Sequence, residues 1–154
     1  MTDSRANSTR TKARRRAIDI LYEAEARGVD PRDILADRIA LGEPPVRPFT
    51  IALVTAVAED IDAVDAALRD ALGERWSLER MPAVDRAIAR LAIHELRAGD
   101  VPVPVTVSVA VDLAGELSTE KSPGFLNALL DRAAHAGGVR TQAGDQPAEE
   151  SVPD

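Results

Sequence analysis

The residues best equipped for chemistry in this chain are cations. Arg10, Lys12, Arg14, Arg15 and Arg16 crowd into one short stretch near the start. Residues 1–16 hold six bases against one acid, a local charge of +5, whereas the remainder carries −12 and the whole chain −7. The segment TKARRRAIDILYEAEARG (11–28) runs from this cluster into a helical pattern, so the bases are expected at the N-terminal end of the first helix. A helix macrodipole favours acids there. Arg10/Arg14 and Lys12/Arg16 are also like-charge pairs one turn apart, which weaken a helix. Charge placed at such a cost points to an anionic partner that offsets it. A solubilising tail or a targeting signal is the simpler alternative.

A second candidate is KSPGF, Lys121 to Phe125. Ser122 and Pro123 are suited to open a helix, as N-cap and first helical residue. The orphan N–H groups of a helix start suit phosphate. Lys121 stands just before them, and Phe125 offers a ring on which an unpaired base could stack. Each feature is also common in plain helix starts. Together with the arginine cluster they suggest single-stranded RNA.

Other chemistry finds no footing. Cysteine is absent, which removes disulfides, thiolate nucleophiles and cysteine metal sites. His94 and His135 lack companions at ligand spacing, and Glu59, Asp60, Asp62 and Asp65 read as a solvated helix face. No phosphate-binding glycine loop or Ser/His/Asp pattern is present. No enzyme activity, cofactor or metal is expected. No apolar run approaches a membrane span, and no apolar stretch near the N-terminus marks a secretory signal. A cytoplasmic protein fits.

The elements that must position these residues are helical. Hydrophobic content is 45%, and aromatics are only Tyr22, Phe49, Trp76 and Phe125. The first helix is expected over about 10–27, with Ile18, Leu21 and Tyr22 on one face and Gly28 as its stop. Asp30-Pro31 opens a short second helix with Ile34, Leu35, Ile39 and Leu41. The breaker-rich GEPPVRP (42–48) precedes a long helix over about 48–72, and Gly73 closes it. A short turn carries Leu78 and Met81. A helix over about 83–98 follows, with Val84, Ile88, Leu91, Ala92 and Leu96 as its apolar side. VPVPVTVSVAVDLAGEL (101–117) alternates like a strand, yet Val105, Val109, Leu113 and Leu117 also step by a helical turn. With no other strand to pair with, a helix from about 104 is the better reading. The last helix starts at Ser122-Pro123, carries Leu126, Leu129, Leu130 and Ala133, and stops near Gly137. Residues 1–9 are expected as a flexible basic arm, 10–138 as the helical domain, and 139–154 as a disordered acidic tail.

The segments KARRRAIDILYEAE, RWSLERMPAVDRAIARLAIHEL, DVPVPVTVSVAVDLAGELS and SPGFLNALLDRA, in that order, resemble the NusB family of transcription antitermination factors. The resemblance covers residues 10–136 or so. It implies an all-α, NusB-like bundle of two three-helix subdomains. It implies binding of boxA-type single-stranded RNA together with ribosomal protein NusE, in concert with other Nus factors and RNA polymerase during ribosomal RNA transcription. The family's arginine-rich start falls on Arg10, Lys12, Arg14, Arg15 and Arg16, its aromatic on Phe125 and the following Asn on Asn127. Tyr22 and Asp85 fall on the NusE-facing surface. Lys121 replaces a frequent acid and Ala128 a frequent Gly. Some members dimerise, so a homodimer is possible for this chain. Two other classes compete: an RNA-binding module of a methyltransferase system, and a helical protein-interaction module without RNA.

Overall fold

The computed structural model describes the backbone of residues 2–136 and the side chains of residues 9–135. The expected acidic tail, 139–154, lies outside the described residues. Every regular element among the described residues is helical, and they divide into two compact units, Met1–Asp62 and Ala63–Asp154.

In the first unit, α1 (Thr2–Arg27), α2 (Pro31–Leu41) and α3 (Pro48–Glu59) each pack on the other two. Ala13, Ala17, Ile18, Ile20, Leu21 and Ala24 form the buried stripe of α1. Tyr22 stands outside that stripe, 41% exposed. The helix ends at Gly28, whose φ of +69° suits glycine. The Asp30 carboxylate accepts from the Arg32 N–H and caps α2, as the Asp-Pro signal predicts.

The start of α1 departs from expectation. No glycine or proline interrupts residues 2–27, and extending an existing helix is inexpensive. The backbone is therefore helical from Thr2 rather than from about residue 10. The arginine cluster then lies more than two turns inside α1, beyond the reach of the terminal dipole. What opposes it is like-charge repulsion and desolvation.

The long helix expected over 48–72 is two helices. Asp60 leaves helical geometry at φ −116°, ψ 24°, and α4 (Ile61–Leu72) begins next to it. No proline or glycine marks the break. The acids of EDID suggest its cause: in one continuous helix they would lie mid-segment, whereas the break puts Asp62 in the favourable first turn of α4.

In the second unit, α5 (Ala83–Ala98), α6 (Val103–Leu117) and α7 (Ser122–Ala136) pack on one another. A single 3₁₀ turn, Leu78–Arg80, precedes them. Arg90 on α5 binds Asp65 on α4 through two hydrogen bonds of 2.8 and 3.0 Å, and Arg132 on α7 donates to the Ala71 carbonyl. Leu126, Leu129, Leu130 and Ala133 are all buried, as their spacing predicts.

The 101–117 stretch is helical, but its inner face differs from the expected one. Thr106, Ala110, Leu113 and Ala114 are buried, whereas Val105 and Leu117 are 39% and 38% exposed. With valine on every side of α6, hydrophobicity does not select a face. The small residues do, because they let α6 approach its neighbours closely. The architecture is thus all-α, with two three-helix sets, α1–α2–α3 and α5–α6–α7, each packed within itself.

Candidate nucleic-acid interface

On α1 two of the cations are held by the first turn of α3. The Arg10 guanidinium lies 4.7 Å from the centre of the Phe49 ring and that of Arg14 lies 5.2 Å from it. An arginine over a ring face is stabilised by the ring quadrupole. The buried Thr50 hydroxyl donates to the Ala13 carbonyl at 2.8 Å and fixes α3 to α1 at this level. Arg10 and Lys12 are exposed, and Arg15 and Arg16 are half-buried. Arg14 is only 4% exposed, so it serves chiefly the packing of α1 on α3. Sequence spacing put Arg10 and Arg14 on one face of α1; it held no signal that Phe49, far along the chain, would lie beneath them.

The start of α7 is built differently from its sequence reading. Phe125 N–H donates to the Lys121 carbonyl, so Lys121, not Ser122, occupies the cap position. The Ser122 side chain is 1% exposed and turns inward. Its hydroxyl donates to Asp85 Oδ2 at 3.0 Å and accepts from the Thr119 N–H at 3.2 Å. The Ser118 hydroxyl donates to the other Asp85 oxygen. The expectation of an accessible Ser122 beside phosphate is corrected by this burial.

Asp85 requires the same correction. The family resemblance puts it on the NusE-facing surface, whereas in the structure it is 2% exposed in the first turn of α5. A carboxylate removed from water needs partners. Ser118 and Ser122 supply them, so Asp85 ties α5 to the α6–α7 turn.

Lys121 and Asn127 are exposed, and Phe125 is half-buried. Phe125 meets Trp76 edge-on, with centroids 5.6 Å apart and planes inclined by 62°. Trp76 is 52% exposed; its part in this pair was not foreseen. Asn127 lines a groove of about 680 Å3 between α6 and α7, together with Val103, Val107, Val111, Asp112 and Asp131. Those acids disfavour a phosphate beside Asn127. His135 Nδ1–H donates to the Asp131 carbonyl at 2.8 Å. Among the described residues no cluster of three His, Asp or Glu could hold a metal ion, and no helix is long and apolar enough to cross a membrane.

The fold and these sites define an all-α protein of two three-helix sets with an arginine-rich stretch on its first helix. The chain belongs to the NusB family, whose family model matches residues 11–135. It is similar to the transcription antitermination protein NusB of Cutibacterium acnes, 44% identical over 145 residues, which cover 94% of this chain. The chain spans 55% of that relative's length. It is also similar to NusB of Kineococcus radiotolerans, 46% identical over 128 residues, 82% of this chain and 93% of the relative. Among solved structures, T. maritima NusB matches with a TM-score of 0.71 at 31% identity, covering 80% of this chain and 89% of that one. The NusB of a complex of antitermination factors NusB and NusE with double-stranded RNA shares the fold, at a TM-score of 0.70 and 23% identity, with coverage of 80% and 94%.

Proposed function

We propose that this chain is a transcription antitermination factor that binds boxA-type single-stranded RNA together with ribosomal protein NusE, and acts with other Nus factors on RNA polymerase during ribosomal RNA transcription. The role is one of binding and assembly in the cytoplasm, without catalysis. Family membership supports the reading, and one structural observation carries it. Five cations lie on residues 10–16 of an otherwise acidic chain, and Phe49 holds two of them in place. Such a cluster neutralises phosphates, and the release of their counterions drives association.

Arg10, Lys12, Arg15 and Arg16 are assigned to phosphate contact, with Arg14 as the buried member that sets the helix in place. Lys121 adds an exposed cation, and Phe125 an aromatic surface. Tyr22 is the exposed residue assigned to NusE. Asp85, Ser122 and Asn127 are given no direct contact: two are buried, and the third sits beside acids. Titration of boxA and scrambled RNA, with and without NusE, tests the assignment. Preference for boxA that strengthens with NusE is the expected result. Equal and weak binding of both RNAs in both conditions would remove it.

A further inference from the structure

We propose that Trp76 and Phe125 form a stacking platform for an unpaired RNA base, with the Trp76 indole as the surface that receives it. The proposal rests on the RNA-binding reading above and adds a residue and a mode of contact to it. A single exposed apolar side chain is ordinary on a protein surface. Trp76 differs because it is held in place. Phe125 meets it edge-on at 5.6 Å, and a T-shaped pair restrains the ring while leaving indole surface open. The indole is 52% exposed. Phe125 is in turn fixed at the start of α7, where its N–H bonds the Lys121 carbonyl and the adjoining turn is tied to Asp85. A restrained ring loses little freedom when a base stacks on it.

The surroundings favour a base over a protein partner. Glu74, Arg75, Glu79, Arg80, Glu120 and Lys121 are exposed in the flanking sequence, with three charges of each sign. An aromatic anchor for a protein is typically surrounded by contacts that exclude water. A ring pair flanked by exposed charges of both signs lacks that surround, whereas every base offers a π-face to it. The local balance of charge has a second consequence. Stacking here adds affinity without adding counterion release, so its contribution does not vary with salt, unlike that of the α1 cations.

Trp76 is the only tryptophan of the chain, so its emission reports on the platform directly. The full-length protein is titrated with an unlabelled boxA-containing single-stranded oligonucleotide while Trp76 emission is followed. Affinity is measured independently by anisotropy of a labelled oligonucleotide at several salt concentrations. The expected result is saturable quenching. Trp76→Leu should weaken binding roughly 5- to 100-fold, the range of a lost base–aromatic stack, with the salt slope unchanged. Trp76→Phe should recover most of the loss, and circular dichroism should show each variant folded. Wild-type affinity in Trp76→Leu, or emission indifferent to saturating RNA, would overturn the platform and leave the RNA-binding reading standing. An emission change with NusE but not with RNA would overturn it in favour of a protein contact. Absence of any RNA binding by anisotropy would remove both.

Discussion

Phe49 concentrates the chemistry of the first unit, because two guanidinium groups share its ring. Phe49→Leu keeps the apolar contact and removes the quadrupole. It should cost about 0.5–2 kcal/mol of stability, the range for exposed to desolvated cation–π contacts. RNA affinity should fall several-fold as Arg10 loses its fixed orientation, while Phe49→Tyr should behave like wild type. Thermal unfolding with RNA titration checks both, and equal stability of the Leu and wild-type proteins would refute the role given to the ring. Asp85 makes the opposite point, that an acid in a polar gap of a helix can be a buried tie. Asp85→Ala removes the carboxylate that accepts from both the Ser118 and Ser122 hydroxyls and should cost about 1.5–3 kcal/mol, as for hydrogen bonds to a charged group. Asp85→Lys should be worse, since it buries a charge with no partner. Denaturant unfolding decides this. A stable Asp85→Lys protein with weakened NusE binding would restore the surface role.

The helix ends show which local signals suffice. Asp30 accepts from both the side chain and the N–H of Arg32, and these bonds hold its carboxyl at about 2, below the usual 3.8. A carboxylate so depressed contributes stability at pH above about 4, and this is lost as pH falls through about 2. Asp30→Ala should therefore be less stable than wild type near pH 5 by about 1 kcal/mol, a typical cap contribution. The gap should close towards pH 2. Because Asp30 is 41% exposed, salt should reduce its ion-pair share. A gap that persists undiminished at pH 2 would refute the assignment. Asp30-Pro31 and Gly28 were legible because caps depend on neighbours in sequence. The α3–α4 break at Asp60 was not, since neither proline nor glycine marks it. The inner face of α6 was hidden by valines on every side. The Asp85–Ser122 tie and the Trp76–Phe125 pair join residues far apart in sequence, and local periodicity carries no record of such contacts. The arginine cluster was plain from composition, but the burial of Arg14 depends on Phe49 and so was not.

Across the whole molecule, charge is divided between a +5 start and a −12 remainder. The formal charge of the remainder opposes an RNA strand and that of the arginine-rich start attracts it. The number of phosphates neutralised sets the salt dependence. At about 0.7 per phosphate for a single strand, the five cations of residues 10–16 allow a slope of log affinity against log salt no steeper than about −3.5 from this cluster. The cations are not equivalent. Arg15→Ala with Arg16→Ala should flatten the slope by about 1.4, two phosphates' worth. Adding Arg14→Ala should flatten it little further, because Arg14 is 4% exposed and set against Phe49. Its loss should instead appear as a lower midpoint of thermal unfolding. Anisotropy titrations of the double and triple variants across a range of salt concentrations separate the two effects. If the triple variant loses a full further increment of slope with no loss of stability, Arg14 is a phosphate ligand after all. If the double variant keeps the wild-type slope, the RNA does not use this face of α1.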